Sequence, residues 1–135
     1  MEILQIKITL SYLLLLQLAF CILGIGFNAV SYFLVRSCNG SLTPNPPVAG
    51  LMVLSIYGIS LIVGFCEFYT IYRSAMAIFL VLIGYFGVLR HITKYIRSPE
   101  LYKSLLFWLG AVGINSFGTL LNFMAATGRF TTTMT

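Results

Sequence analysis

Four apolar stretches dominate the chain, each bounded by charged or helix-breaking residues. Residues 8 to 35 carry no charge. A bilayer crossing takes roughly 20 apolar residues, so this run suffices for a tilted helix. It is closed by RSCNGSLTPNPP, residues 36 to 47, where Gly40, Pro44, Pro46 and Pro47 break any helix. Pro47 suits the first turn of the next helix, where an N–H would have no partner anyway. The second run covers 47 to 66 and stops at Glu67. The third is free of charge only from Ser74 to Leu89. It is completed to 70–92 if Arg90 lays its stem along apolar surface and sends its guanidinium to the interface. One helix from Pro47 to Lys94 would be about twice the bilayer thickness. The pattern therefore predicts a tight turn between Glu67 and Arg73, with Tyr69 and Tyr72 in an interfacial belt. The polar stretch HITKYIRSPELYK, residues 91 to 103, leads to the fourth run, 104 to 127, with Trp108 near its start. The expected fold is an all-α integral membrane protein, a four-transmembrane-helix bundle with short loops, forming a single domain over residues 1 to 135 and containing no strand.

Composition removes the alternatives. Hydrophobic residues make up 59% of the chain and charged residues 8%, against about 25% charged in a typical soluble domain. So few charges cannot cover the surface of a soluble domain, and so apolar a chain is not disordered. The net charge of +5 includes no basic run dense enough for nucleic acid. The charges read instead as topology signals. Arg36 in the first loop and Arg90, Lys94, Arg97 and Lys103 around the third lie on one side. Lys7, Arg73 and Arg129 lie on the other. By the positive-inside rule both termini are expected outside the cytoplasm, with Arg90, Lys94, Arg97 and Lys103 contacting anionic lipid. On that orientation the sequon Asn39-Gly40-Ser41 faces the cytoplasm and stays unmodified. Ala29-Val30-Ser31 has the small-residue form of a signal-peptidase site, but the first span is counted as retained.

Within the runs, small and polar residues fall on single helix faces. Gln17, Cys21, Gly24, Asn28 and Ser31 recur every three or four residues, as do Ala111, Asn115, Gly118, Asn122 and Ala125. The third run aligns Ala77, Gly84, Gly87 and His91, and the second aligns Tyr57, Ser60 and Gly64. In lipid, helices associate through close packing and interhelical hydrogen bonds, so glycines and amides mark contact faces. The six strongest packing or pore-lining candidates are Gln17, Gly24, Asn28, Asn115, Gly118 and Asn122.

Candidate chemistry is sparse. Glu67 and Arg73 are an ion-pair candidate across the tight turn, and an intramembrane Glu67 would be the alternative, a proton-coupling group. Small four-helix multidrug transporters carry a glutamate deep in the first span. Residues 8 to 35 contain none, so that resemblance fails. His91, the sole histidine, reads as a headgroup contact. Its alternative is a single axial bond to a pigment or haem shared with a partner chain, which makes it the one candidate cofactor residue; the cofactor itself is unknown from sequence. Cys21, Cys38 and Cys66 have no metal-ligand spacing, and Cys21 and Cys66 are expected to be buried. With no base–nucleophile pair and no metal set, enzyme activity is not expected. The expected partners are the lipid bilayer and other membrane protein subunits, not nucleic acid. The leading expectation is an accessory or assembly subunit. The alternative is a small oligomeric channel or transporter lined by the Asn and Gln stripes.

Overall fold

The computed structural model describes residues 8–132. The first seven residues, with the topology charge Lys7, and the last three of the threonine-rich tail lie outside the described residues. Four helices are long and apolar enough to cross a membrane: Leu10–Arg36, Pro47–Phe65, Tyr69–Arg97 and Leu105–Ala126. They are labelled α1 (Leu10–Arg36), α2 (Pro47–Phe65), α3 (Tyr69–Leu82), α4 (Arg90–Arg97) and α5 (Leu105–Ala126), a π-helical segment, Ile83–Leu89, joining α3 to α4 without a break.

The third helix ends at Arg97, five residues beyond the expected boundary at 92. The polar stretch after Leu89 continues as helix because Arg90 and Arg97 stay exposed. Lys94 and Arg97, in its last turn, also complement the negative end of the helix dipole. Pro99 then opens a 3-10 turn, Pro99–Leu101. Pro47 stands at the first turn of α2, as its missing donor predicts. The Ser104 hydroxyl accepts a hydrogen bond from the Phe107 amide and caps α5.

Three helices stop in one way. The chain leaves α1 through Cys38 (φ 59°), α2 through Glu67 (φ 64°) and α5 through Gly128 (φ 69°). In each case the next amide reaches back five residues: Asn39 to Leu34, Phe68 to Val63, Arg129 to Met124. This is the Schellman motif, and the left-handed position normally takes glycine. At Glu67 it makes the tight α2–α3 turn that the run lengths demand. One expectation fails outright. Ile8–Thr9 (β1) pairs in parallel with Phe130–Thr131 (β2), so the segment before α1 and the segment after α5 are joined by a short ladder.

Helix α1 packs on α2 and α5, and α3 packs on α5 and α2. The core lies along their shared axis and includes Leu13, Phe20, Leu54, Leu61, Met76, Phe79 and Leu121. The predicted faces of α1 and α5 hold: Gln17, Cys21, Gly24 and Ser31 are buried, as are Ala111, Gly118, Asn122 and Ala125. The stripe of the third helix holds in part: Gly84 and Gly87 pack on α5 and His91 is buried, but Ala77 is exposed, and Tyr72, Met76 and Phe79 of α3 with Ile83 of the π-helical segment point inward, because the centre between four helices needs large side chains to fill it. Glycines instead mark close approaches. A β-carbon on Gly24 would lie 2.7 Å from Leu54, one on Gly64 would lie 2.8 Å from Leu14, and one on Gly118 would collide with the Phe20 ring. Outward faces are apolar throughout, with Phe33, Ile59, Ile78, Val81 and Leu106 all more than half exposed.

Candidate functional site

Two polar assemblies lie among these helices, one near the Glu67 end and one at the end where Arg36, Arg90, Lys94, Arg97 and Lys103 gather. The first is dry. Gln17 on α1 donates its Nε2 to Asn122 Oδ1 on α5 at 3.1 Å and to the Met76 sulfur on α3 at 3.1 Å. Its Oε1 accepts from the Tyr72 hydroxyl. The Tyr57 hydroxyl on α2 donates to the same Asn122 oxygen at 2.8 Å. All five side chains have zero exposure. Every long helix therefore contributes a group to one enclosed knot. Asn122 Nδ2 has no partner among the described residues. Tyr72 sits in this knot, not in the interfacial belt, because the Gln17 carbonyl oxygen and the close approach at Gly64 hold it inward.

The second assembly is centred on His91. Its ring is 4% exposed, which corrects the headgroup-contact expectation. The hydrogen-bond roles follow from one side chain. Lys94 Nζ only donates, and it lies 3.1 Å from Asn45 Oδ1, which turns the Asn45 Nδ2 toward His91 Nε2 at 3.0 Å. Nε2 must then accept, so the ring proton is on Nδ1 and is donated to the Tyr102 oxygen at 2.7 Å. The Tyr102 hydroxyl donates onward to the His91 carbonyl at 3.2 Å. Trp108 Nε1 donates to that carbonyl at 3.2 Å, and its ring stacks on Tyr95 with centroids 4.3 Å apart. Both imidazole nitrogens are thus hydrogen-bonded within the chain. Burial of Tyr102 pushes its phenol up to about 12. The first loop is drawn into this cluster: Leu42 N donates to Ser31 Oγ at 3.0 Å, and Lys103 Nζ donates to the Asn39 carbonyl at 3.1 Å.

Beside His91 lies a cavity of about 510 Å³, within the size range of small-molecule pockets, which is about 300–1,000 Å³. It lies where α2, which packs on α3, stands away from the π-helical segment. One wall is Ala49, Gly50 and Val53 of α2. The opposite wall is Ile83, Phe86 and Gly87 of the π-helical segment. Phe27 and Asn28 of α1, with Ala111 and Asn115 of α5, form the back. Thr43, Asn45, Arg90 and His91 stand at the basic end. At the other end the lining reaches Leu54 and Ile83, and the rings of Tyr57 and Phe79, one turn along α2 and α3, meet edge to face at 5.0 Å. Asn28 donates to the Gly24 carbonyl at 2.8 Å and Asn115 to the Ala111 carbonyl at 2.7 Å, both within their own helices. Their amides also fill the space over glycines, Asn28 against Gly50 and Asn115 against Gly87.

The six packing or lining candidates therefore divide. Gln17 and Asn122 meet in the enclosed knot, Gly24 and Gly118 are crossing points, and Asn28 and Asn115 line the cavity. Of the four basic candidates, Arg90 lines it and Lys94 touches it through Asn45, whereas Arg97 and Lys103 do not. The proposed Glu67–Arg73 pair is replaced. Arg73 donates Nε to the Ala126 carbonyl at 3.3 Å and lies over Gly128, because the tight turn points the exposed Glu67 away. Cys66 is exposed at the same turn, against expectation, while Cys21 is buried and donates to the Leu54 carbonyl at 3.2 Å. Sequence reasoning missed Asn45, Tyr102 and Met76. The only available signal was their position: Asn45 lies among prolines that hold it rigidly, and Tyr102 falls eleven residues after His91. Among the described residues no three His, Cys, Asp or Glu side chains group to hold a metal ion. Comparison with protein-family models, with curated proteins and with solved structures finds no match.

Proposed function

We propose that this chain is a small non-catalytic accessory or assembly subunit of a multi-subunit membrane complex, a four-helix transmembrane bundle with its basic end on the cytoplasmic side. The observation that carries the reading is the enclosed knot. Gln17 and Asn122, the innermost candidates for a pore lining, are fully buried and bonded to one another. Groups spent in this way join helices and do not conduct. The exposed apolar faces on every long helix suit lipid or the helices of neighbouring subunits. Among the described residues the acids are Glu67 and Glu100, and neither lines the cavity, so no carboxylate stands where it would couple transport to protons.

One observation favours the channel or transporter reading: Asn28 and Asn115 line a cavity. The lining of that cavity reaches Leu54 and Ile83 and includes neither Tyr57 nor Phe79, which supports a pocket over a through-path. Reconstitution of the purified chain alone into liposomes tests the choice. No ion or solute flux is expected, and Gly118→Leu is expected to remove the chain from the complex isolated from native membranes. Flux that disappears in Asn28→Leu would establish the transporter reading instead.

A further inference from the structure

The cavity at the basic end has the distribution of groups that an amphiphile requires. Its two long walls are apolar, and its polar groups are gathered at one end. Among the described residues two cations stand there without an acid. The Arg90 guanidinium rests 5.7 Å from the centre of the Phe86 ring. Lys94 Nζ bonds only the neutral Asn45 amide. Glu67 belongs to the opposite end, and Glu100 lies beyond the helix terminus at Arg97 and outside the lining. A charge pair beside a low-dielectric wall is stronger than the same pair in water, and the apolar walls would bury an anion's hydrocarbon. The buried hydroxyl-bearing side chain of Thr43, 5% exposed, also faces this end.

We propose that this cavity is a binding site for one anionic phospholipid, with its phosphate between Arg90 and Lys94 and one acyl chain lying between Ala49–Val53 of α2 and Ile83–Gly87 of the π-helical segment. A free phosphate would leave the apolar walls empty, and a neutral lipid would leave both cations without an anion. The π-helical turns contribute the opening. Wider i→i+5 turns occur in short pieces at functional positions, and here they carry the wall that stands away from α2. Gly84 and Gly87 seat this segment on Thr119 and Asn115 of α5, which holds it back from α2 and keeps the slot open. The site rests on the transmembrane reading and is independent of whether the chain is an accessory subunit.

Trp108 is the sole tryptophan, and its indole donates to the carbonyl of the cavity residue His91, so its fluorescence reports the slot. The purified chain is reconstituted into phosphatidylcholine vesicles containing a minority of phosphatidylglycerol, with the acyl chains of one lipid or the other brominated. Brominated phosphatidylglycerol is expected to quench Trp108 more strongly than the same fraction of brominated phosphatidylcholine. Arg90→Gln is expected to lower the preference about fivefold, the equivalent of about 1 kcal/mol for one basic side chain facing an anionic lipid. Ala49→Phe, which fills the slot from an exposed position, should abolish it, and Arg97→Gln and Arg90→Lys should retain it. Equal quenching by the two lipids overturns the site while leaving the membrane reading intact. An equal loss in Arg97→Gln and Arg90→Gln reduces it to general surface charge and overturns it. Removal of the preference by inorganic phosphate assigns the cations to a free anion and overturns it as well. Quenching by neither lipid overturns the transmembrane reading first.

Discussion

Gly118→Ala isolates a close crossing of α1 and α5. A β-carbon at Gly118 would overlap the Phe20 ring, with Cδ2 only 2.7 Å away and two further ring carbons nearer still. The ring cannot swing aside. Phe20 has zero exposure and meets the Tyr57 ring edge to face at 5.2 Å, and Tyr57 is held by Asn122. Alanine in a helix is favoured over glycine by about 1 kcal/mol, so propensity alone predicts stabilisation. Overpacking in a core that cannot relax costs about 1–3 kcal/mol, and here the clash spans several ring atoms. A clash with three ring carbons puts this site in the upper half of that range, about 2–3 kcal/mol, so the expected net effect after the propensity gain is a loss of about 1–2 kcal/mol. Reversible unfolding in mixed detergent micelles, followed by helical circular dichroism, measures it. Phe20→Leu, which shortens the ring side, should cost about 1–2 kcal/mol alone. In the double variant the two changes should couple, and Gly118→Ala should become neutral or stabilising once Phe20 is shortened. A neutral Gly118→Ala in the unaltered chain, or a double variant whose loss is the sum of the singles, refutes the close approach of α1 and α5.

Asn122→Leu should destabilise by about 1 kcal/mol: two interhelical bonds near 0.6 kcal/mol each are lost, and removal of the partnerless Nδ2 partly offsets the stranded Tyr57 hydroxyl. The same unfolding assay should show Gly118→Leu to be worse. Glu67→Gly should stabilise by about 0.5–1 kcal/mol, since Glu67 holds φ 64° at a position suited to glycine; a destabilised variant would assign the carboxylate a structural contact. In sealed vesicles a membrane-impermeant maleimide should reach Cys66 from the non-cytoplasmic side and Cys38 from the other, leaving Cys21 unlabelled; labelling of Cys38 from the outside would reverse the orientation. Tyr102 is pushed up to about 12, so the unfolded chain ionises first and stability should fall between about pH 10 and pH 12, a slope that Tyr102→Phe should reduce.

The apolar runs announced the four long helices because length and hydropathy set them locally, and proline and charge set their ends. The faces of α1 and α5 were legible for a related reason: a helix that buries an amide or a glycine repeats it every three or four residues, as from Gln17 to Ser31 and from Ala111 to Ala125. The third helix was legible only toward its basic end, at Gly84, Gly87 and His91, since its other inward residues, Tyr72, Met76, Phe79 and Ile83, are as apolar as those facing outward. In an apolar solvent hydropathy no longer separates inside from outside. Tyr72 is the clearest case. A tyrosine close to a helix end reads as an interfacial anchor, and only the Gln17 oxygen across the core shows that its hydroxyl turns inward.

The candidate site depends on pairings that periodicity does not carry. Asn45 meets His91 and Lys94 across 46 and 49 residues of chain, and a lysine that can only donate decides the orientation of the amide and, through it, the tautomer of the histidine. The same amide stripes that looked uniform along α1 and α5 divide at the level of Leu54 and Ile83. Toward the Glu67 end they face large side chains from α2 and α3 and are sealed into one knot. Toward the basic end α2 stands away from the π-helical segment, and the next amides, Asn28 and Asn115, border open space. One packing decision, whether α2 touches the third helix, therefore separates the part of the stripe that holds helices together from the part that is left to meet a ligand.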